Sequence, residues 1–303
     1  MNKKLSSAPV IAALATTVTT AATALAANTV LNIIVHGKRQ TLEEAMEWQS
    51  AHYDTSFIDG LARTTYTVKS YDGYELHAEF FENPIPSKRY VLMSHGLTDN
   101  RYGNFKYMKI YLDLGFNCVT YDLRGHGENE PTHCTYTIRE SADLSDMITD
   151  TYERYGHDIL LGLHGESLGA ASTVAVLGKT QQVAFAVADC PFSEIYSVLK
   201  ATIASQHLPT FLVDAAGAIA SRKYDFTFKD CSPKEVLPAN KVPILFIHGE
   251  KDELIPPDHS RKMANLTGGY TEVHIIPDAI HAQSVLTAPG AYAEILKNFL
   301  RKI

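Results

Sequence analysis

The chain has 303 residues, 45% of them apolar and 20% charged, which excludes intrinsic disorder for its bulk. Its 27 Lys plus Arg are outnumbered by 34 Asp plus Glu, a formal net charge of −7. That balance argues against nucleic acid as a partner, because phosphate binding needs a basic face.

Lys3 and Lys4 are followed by no charged residue until Lys38. Coiled as a helix, an uncharged run of about 30 residues is about 45 Å long, more than the hydrocarbon core of a bilayer. Residues 1–40 therefore read as a membrane anchor or as a signal peptide cleaved at Ala24-Leu25-Ala26, a buried soluble helix being less favoured at this length. Cleavage after Ala26 would leave an apolar terminus carrying Val30–Val35, which favours the anchor. The short leading tail favours an amino end inside and a body outside the cytoplasm. Thr41-Leu42-Glu43-Glu44 is a capping box opening a helix to about Phe57, so residues 41–62 read as a linking helix with no chemistry. A chain beginning near Gln40 is then expected to fold and act alone.

Residues 63–303 alternate strands and helices. Thr65–Lys69 and Tyr74–Phe81 read as strands joined at Asp72-Gly73, a hairpin signal. Tyr90–His95 is a strand, Phe105–Leu114 a helix stopped by Gly115, and Phe116–Asp122 a strand. Leu144, Met147, Ile148, Thr151, Tyr152 and Tyr155 form one helical stripe closed by Gly156. Ile159–His164 and Val183–Cys190 are strands around a helix over Leu168–Leu177. Val242–His248 and Glu272–Ile276 are later strands, and Tyr292–Leu300 is a closing amphipathic helix. A hairpin followed by strand–helix repeats implies an α/β fold with a mostly parallel sheet covered on both faces. Residues 193–235 break the alternation and read as a small helical cap over the carboxyl edge of the sheet, or as ordinary connecting helices.

None of the four cysteines forms a C-x-x-C pair, so neither a zinc ribbon nor a redox motif is indicated. Cys118 and Cys190 fall in apolar runs and read as buried thiols, while a Cys134–Cys231 disulfide stays open.

Gly165-Glu166-Ser167-Leu168-Gly169 sits between a strand and a helix, the setting in which G-x-S-x-G presents a nucleophilic serine on a strained turn. A serine hydroxyl needs a general base and a group to orient that base. Asp252 follows the Val242–His248 strand, and His281 follows the next one. Asp189, at the end of the strand after the serine, is the competing acid. The oxyanion requires backbone donors, here the amides of Leu97 and Leu168. His95, His126, His164 and His248 flank the motifs and read as structural. No H-E-x-x-H occurs, and the mechanism requires no metal or cofactor.

His95-Gly96, Asp122-Leu123-Arg124-Gly125-His126-Gly127, Gly165–Gly169, Gly249-x-x-Asp252 and His281 follow one another as in the α/β-hydrolase superfamily, which residues 64–303 resemble. Tyr102-Gly103-Asn104, His164–Ser167 and Ala188–Phe192 are similar to a bacterial branch of N-terminally anchored serine hydrolases grouped with serine-aminopeptidase-like (S33-type) enzymes. The resemblance implies an eight-stranded, mostly parallel sheet and hydrolysis through the chain order Ser167, Asp252, His281. Asp278-Ala279-Ile280 stands where the family often has a glycine before the histidine. Glu128-Asn129 replaces the serine common after Arg-Gly-His-Gly.

The leading expectation is a serine hydrolase acting on a small-molecule acyl substrate, a carboxylic ester. A peptidase, thioesterase or acyltransferase would use the same groups, and a non-catalytic binding protein would usually lose one of them. Leu199, Ile203, Phe211 and Leu212 in the cap are expected to contact the acyl chain. Single-glycine loops such as His95-Gly96-Leu97 imply, by family resemblance, little room for tertiary alcohols.

Overall fold

A computed structural model describes the backbone of residues 8–303 and the side chains of residues 22–303. In chain order the elements begin α1 (Ala8–Val35), α2 (Leu42–His52), β1 (Arg63–Lys69), β2 (Glu75–Phe81), β3 (Arg89–Ser94), α3 (Phe105–Asp113) and β4 (Asn117–Tyr121). Then come α4 (Ile138–Tyr155), β5 (Leu160–Glu166), α5 (Leu168–Val176), β6 (Phe185–Asp189), α6 (Ile195–Ser205) and α7 (Phe211–Tyr224). The chain closes with β7 (Ile244–Gly249), α8 (Asp258–Leu266), β8 (Thr271–Ile276), α9 (Ser284–Thr287) and α10 (Pro289–Leu300).

The eight strands form one sheet in the order β1-β2-β4-β3-β5-β6-β7-β8. The β1–β2 hairpin pairs Arg63 with Phe81 through Lys69 with Glu75, and β2 is antiparallel to β4. The remaining neighbours are parallel. Because side chains alternate along a strand, Val91 and Met93 of β3 join one core and Leu92 the other. The first core lies under α3 and α10, and the second under α4 and α5. Strand order reverses at β3, whose neighbours are β4 and β5. In open α/β sheets the crevice beyond the strand ends at such a point is where ligands bind.

Local chemistry explains the elements that carry the site. Both Thr41 and Thr137 close capping boxes, with Glu44 and Glu140. Leu144, Met147, Ile148, Thr151 and Tyr152 are buried along α4, which ends at Gly156 with φ 98°. The linking helix stops at His52, short of Phe57, because Tyr53 turns to extended backbone. Helix α8 was not expected. Only Ser260 and Met263 are buried along it, too short a stripe to stand out in the sequence.

The largest departure is at the amino end. Ala27, Val30, Leu31, Ile34 and Val35 are buried, an i, i+3, i+4, i+7, i+8 stripe packed into the main core beside α7. The Ile34 carbonyl accepts the Tyr136 hydroxyl at 2.8 Å, and the Val35 carbonyl accepts the Cys134 amide at 2.9 Å. Arg39 donates to the carbonyls of Gly125 and Thr132. Val30, Leu31, Ile34 and Val35 are thus core rather than a sticky tail, with Ile33 exposed on the far side, and the argument against cleavage after Ala26 is weakened accordingly. The same packing removes the reason for expecting a chain from Gln40 to be self-sufficient. Among the described residues no helix is long and apolar enough to cross a membrane. Lys3 and Lys4 lie outside the described residues.

All four cysteines are free and buried. Cys231 Sγ instead donates to the Thr135 carbonyl at 3.2 Å, so the open Cys134–Cys231 disulfide is not formed.

Candidate active site

Ser167 occupies the single residue between β5 and α5, with φ 52° and ψ −111°, a left-handed backbone that side-chain-bearing residues rarely adopt. Its amide donates to the Asp189 carbonyl at 2.8 Å, tying the turn to β6. The flanking glycines allow close approach. A Cβ on Gly165 would lie 2.3 Å from the Gly169 carbonyl oxygen, and one on Gly169 would lie 2.1 Å from that of Ser94. The G-x-S-x-G pattern therefore packs α5 against both β5 and the end of β3 while lifting the serine hydroxyl out of the sheet.

Three side chains remote in sequence meet there. His281 Nε2 lies 2.9 Å from Ser167 Oγ, and His281 Nδ1 lies 2.7 Å from Asp252 Oδ2. Asp252 is buried, and burial alone would raise its pKa. Hydrogen bonds from His248 and His281, the His281 charge and the Ile255 amide outweigh this and hold it well below the usual carboxylate range. Its Oδ1 accepts the amides of Leu254 and Ile255 at 3.1 and 2.9 Å. Asp189, the competing acid, has Oδ2 3.1 Å from the Tyr107 hydroxyl oxygen and makes no hydrogen bond to His281 among the described residues. Burial, then the neighbouring Glu166 charge, push its pKa up to about 6. The geometry brings Ser167, His281 and Asp252 together and leaves Asp189 outside.

The Leu168 amide opens α5 and the Leu97 amide follows β3. Neither donates to an acceptor among the described residues, as expected of first-turn N–H groups in the case of Leu168. Two buried histidines fix the Leu97 loop. His126 Nε2 lies 2.6 Å from the Leu97 carbonyl. His95 donates from Nδ1 to the Gly96 carbonyl at 2.7 Å and accepts the Leu123 amide on Nε2 at 2.9 Å. Burial lowers both pKa values to about 3.

A cavity of about 470 Å³ opens over Ser167 and His281. Helix α6 turns Ile195, Val198, Leu199 and Thr202 towards it, positions i, i+3, i+4 and i+7 of one helical face. Of the four residues expected to line the acyl path, Leu199 does so. Ile203, the i+8 position at the edge of that face, does not line the cavity and packs on the core. Leu212 is buried in the core, and Phe211 at the start of α7 is 52% exposed. Neither of these lines the cavity. Leu97 and Leu168 are both in its wall.

Several groups at the site carry no motif. Gln40, from the segment read as an anchor or signal peptide, and Trp48, from the linking helix read as having no chemistry, line the cavity with Asp99, Lys106 and Glu166. His248 Nε2 lies 3.1 Å from Asp252 Oδ2. Among the described residues, Cys190, Asp252 and His281 bring metal-ligand atoms within 4.8 Å of one another. Two of those atoms are already joined by the 2.7 Å hydrogen bond.

The sheet order and the Gly165–Gly169 elbow have counterparts in known proteins. The backbone superposes on a Pyrococcus furiosus esterase, Pf2001, with a TM-score of 0.67 over 82% of this chain and 94% of that one, at 18% identity. The fold is that of the α/β hydrolases. A family profile described as alpha/beta hydrolase fold matches residues 90–226. The uncharacterized protein YqkD of Bacillus subtilis is 26% identical over 275 residues, covering 89% of this chain and 90% of its own. The uncharacterized protein YfhR of Escherichia coli K12 is 23% identical over 216 residues, 69% of each chain. None of these matches is specific to the serine-aminopeptidase branch.

Proposed function

We propose that the protein is a serine hydrolase that cleaves carboxylic esters of small to medium size through an acyl-enzyme. The observation carrying this reading is the hydrogen-bonded chain from Ser167 through His281 to Asp252 at the floor of a largely apolar cavity. Ser167 Oγ attacks the carbonyl carbon while His281 Nε2 takes its proton. Asp252 holds the Nδ1 proton and stabilises the imidazolium. The amides of Leu97 and Leu168 receive the negative charge that develops on the carbonyl oxygen. His281 then protonates the leaving alcohol, and water, activated by the same ring, releases the acid. The solved structure of similar fold named an esterase supports the ester over the amide or thioester.

The apolar wall of α6 favours short to medium acyl chains, and the single glycine of His95-Gly96-Leu97, by the family resemblance, disfavours tertiary alcohols. A panel of esters, an anilide and a thioester of one acyl group, assayed on the purified protein, tests this. Primary-alcohol esters are expected to give the highest kcat/KM. Preference for the anilide, or equal rates on tertiary-alcohol esters, overturns the reading.

The segment before Ala27 is proposed to attach the body to a membrane, with the catalytic face outside the cytoplasm. The support is the absence of charge between Lys4 and Lys38 and, among the described side chains, the 70% exposure of Leu25. The mass of the native protein decides it: an intact amino end is expected, and a terminus at Ala27 means secretion.

A further inference from the structure

The polar cluster beside the serine, at the cavity wall, has no part in the proton relay, yet it touches both loops that carry it. Lys106, in the first turn of α3, is buried, its side chain 4% exposed. Its Nζ lies 2.5 Å from Glu166 Oε2 and donates to the Ala282 carbonyl at 3.1 Å. Glu166 is the residue immediately before Ser167, and Ala282 is the residue immediately after His281. One ammonium thus spans the nucleophile's turn and the base's loop.

The surroundings fix each end of this bridge. Glu166 Oε2 also accepts the Tyr107 hydroxyl at 2.5 Å, so its carboxylate is held from two sides of α3. Ala282 has φ 60°, a left-handed conformation that directs its carbonyl away from a regular turn. Burial opposes the charge on Lys106, but Glu166, followed by Asp99 and Asp189, more than offsets it, and the amine stays protonated. A protonated amine has three donors, enough for the carboxylate and the carbonyl together. Trp48 covers the outer side, its ring 5.8 Å from Nζ.

We propose that Lys106 is a positioning residue that holds the His281 loop in register with Ser167. It touches no reacting atom. Its part is to hold the 2.9 Å Nε2–Oγ separation by tying the backbone beyond the histidine to the side chain beside the serine. A displacement of about 1 Å between a nucleophile and its base can cost about 100-fold in rate.

The inference rests on reading Ser167 and His281 as nucleophile and base, and the experiment separates the two. Removing Lys106 alone strands a buried carboxylate, which destabilises a fold for reasons unrelated to register. The informative comparison is therefore Glu166→Gln, in which the Lys106 ammonium keeps the Asp99 and Asp189 charges nearby, against Lys106→Met/Glu166→Gln, both neutral at position 166. The readouts are kcat, KM and the second-order rate of labelling by a small fluorophosphonate, below the melting temperature of each variant. The double variant is expected to lose about 10- to 100-fold in both kcat and labelling rate relative to Glu166→Gln, with KM changed by less than about threefold. Lys106→Arg alone keeps the cation but not its point geometry, and is expected to lose about threefold or more in kcat while folding normally. It also serves if the double variant does not fold. Equal kcat and labelling in the two neutral variants, or native kcat in Lys106→Arg, overturns the positioning role. Failure of the native protein to label overturns the serine-hydrolase reading instead.

Discussion

Leu31 tests whether the second half of α1 is part of the body. Its side chain is fully buried in the main core. Truncation to alanine removes that apolar contact and leaves a cavity, at a cost of about 2–5 kcal/mol. At roughly 2 °C per kcal/mol for a chain of this size, the melting temperature should fall by about 4–10 °C. The point substitution is cleaner than a deletion, because deletion also frees the helix from ordering that costs about 1–2 kcal/mol per residue. Two truncated chains complete the experiment. A chain from Ala27 keeps Val30, Leu31, Ile34 and Val35 and should melt with the full chain. A chain from Gln40 loses them, together with the carbonyl partners of the buried Cys134 amide and Tyr136 hydroxyl. Each such unpaired group costs about 1–3 kcal/mol, so this chain should melt far lower or fail to fold. Thermal melts followed by circular dichroism, with ester turnover measured in parallel, read all three. A change within about 0.5 kcal/mol for Leu31→Ala, together with native stability from Gln40, would refute the packing argument.

Two further outcomes follow from the site. Asp252→Asn should lower kcat by about 10⁴-fold, because the amide no longer fixes the histidine tautomer. Asp189→Asn should lower it far less, and steady-state kinetics showing the reverse order would reassign the acid. Asp189 also makes a pH prediction. Its pKa is raised from 3.8 to about 6 in the folded chain, so between those values the folded state holds a proton that the unfolded state has released. Its contribution to stability is therefore complete below about pH 4 and is lost as pH rises to about 6. Urea unfolding of the native protein and Asp189→Asn at several pH values should show the difference moving in the variant's favour over that window. A difference independent of pH contradicts the raised value.

What the sequence disclosed was local. The hairpin at Asp72-Gly73, the α4 stripe and the Gly165–Gly169 elbow each depend on neighbours within a few residues, and all three lie where their signals put them. What it concealed was tertiary. Val30–Val35 is an apolar run whether lipid or protein covers it, and only the fold shows α7 alongside. The apolar cap residues were recognisable, but the rotation of α6 that selects Val198 and Leu199 over Ile203 is set by packing. Lys106 and Trp48 belong to no motif and are remote in sequence from Ser167 and His281; His248, four residues from Asp252, flanks a motif but carries no signal of its contact. For Asp252 over Asp189 the chain order already favoured the choice, and the 2.7 Å contact to His281 gives it a geometry.

The central claim is that Ser167 is a nucleophile activated by His281. Treating the native protein with a fluorophosphonate and locating the adduct by peptide mass spectrometry tests it most directly. The account predicts one stoichiometric adduct on Ser167, absent from Ser167→Ala and slowed by many orders of magnitude in His281→Ala. An unlabelled native protein, or labelling that persists in Ser167→Ala, would contradict it.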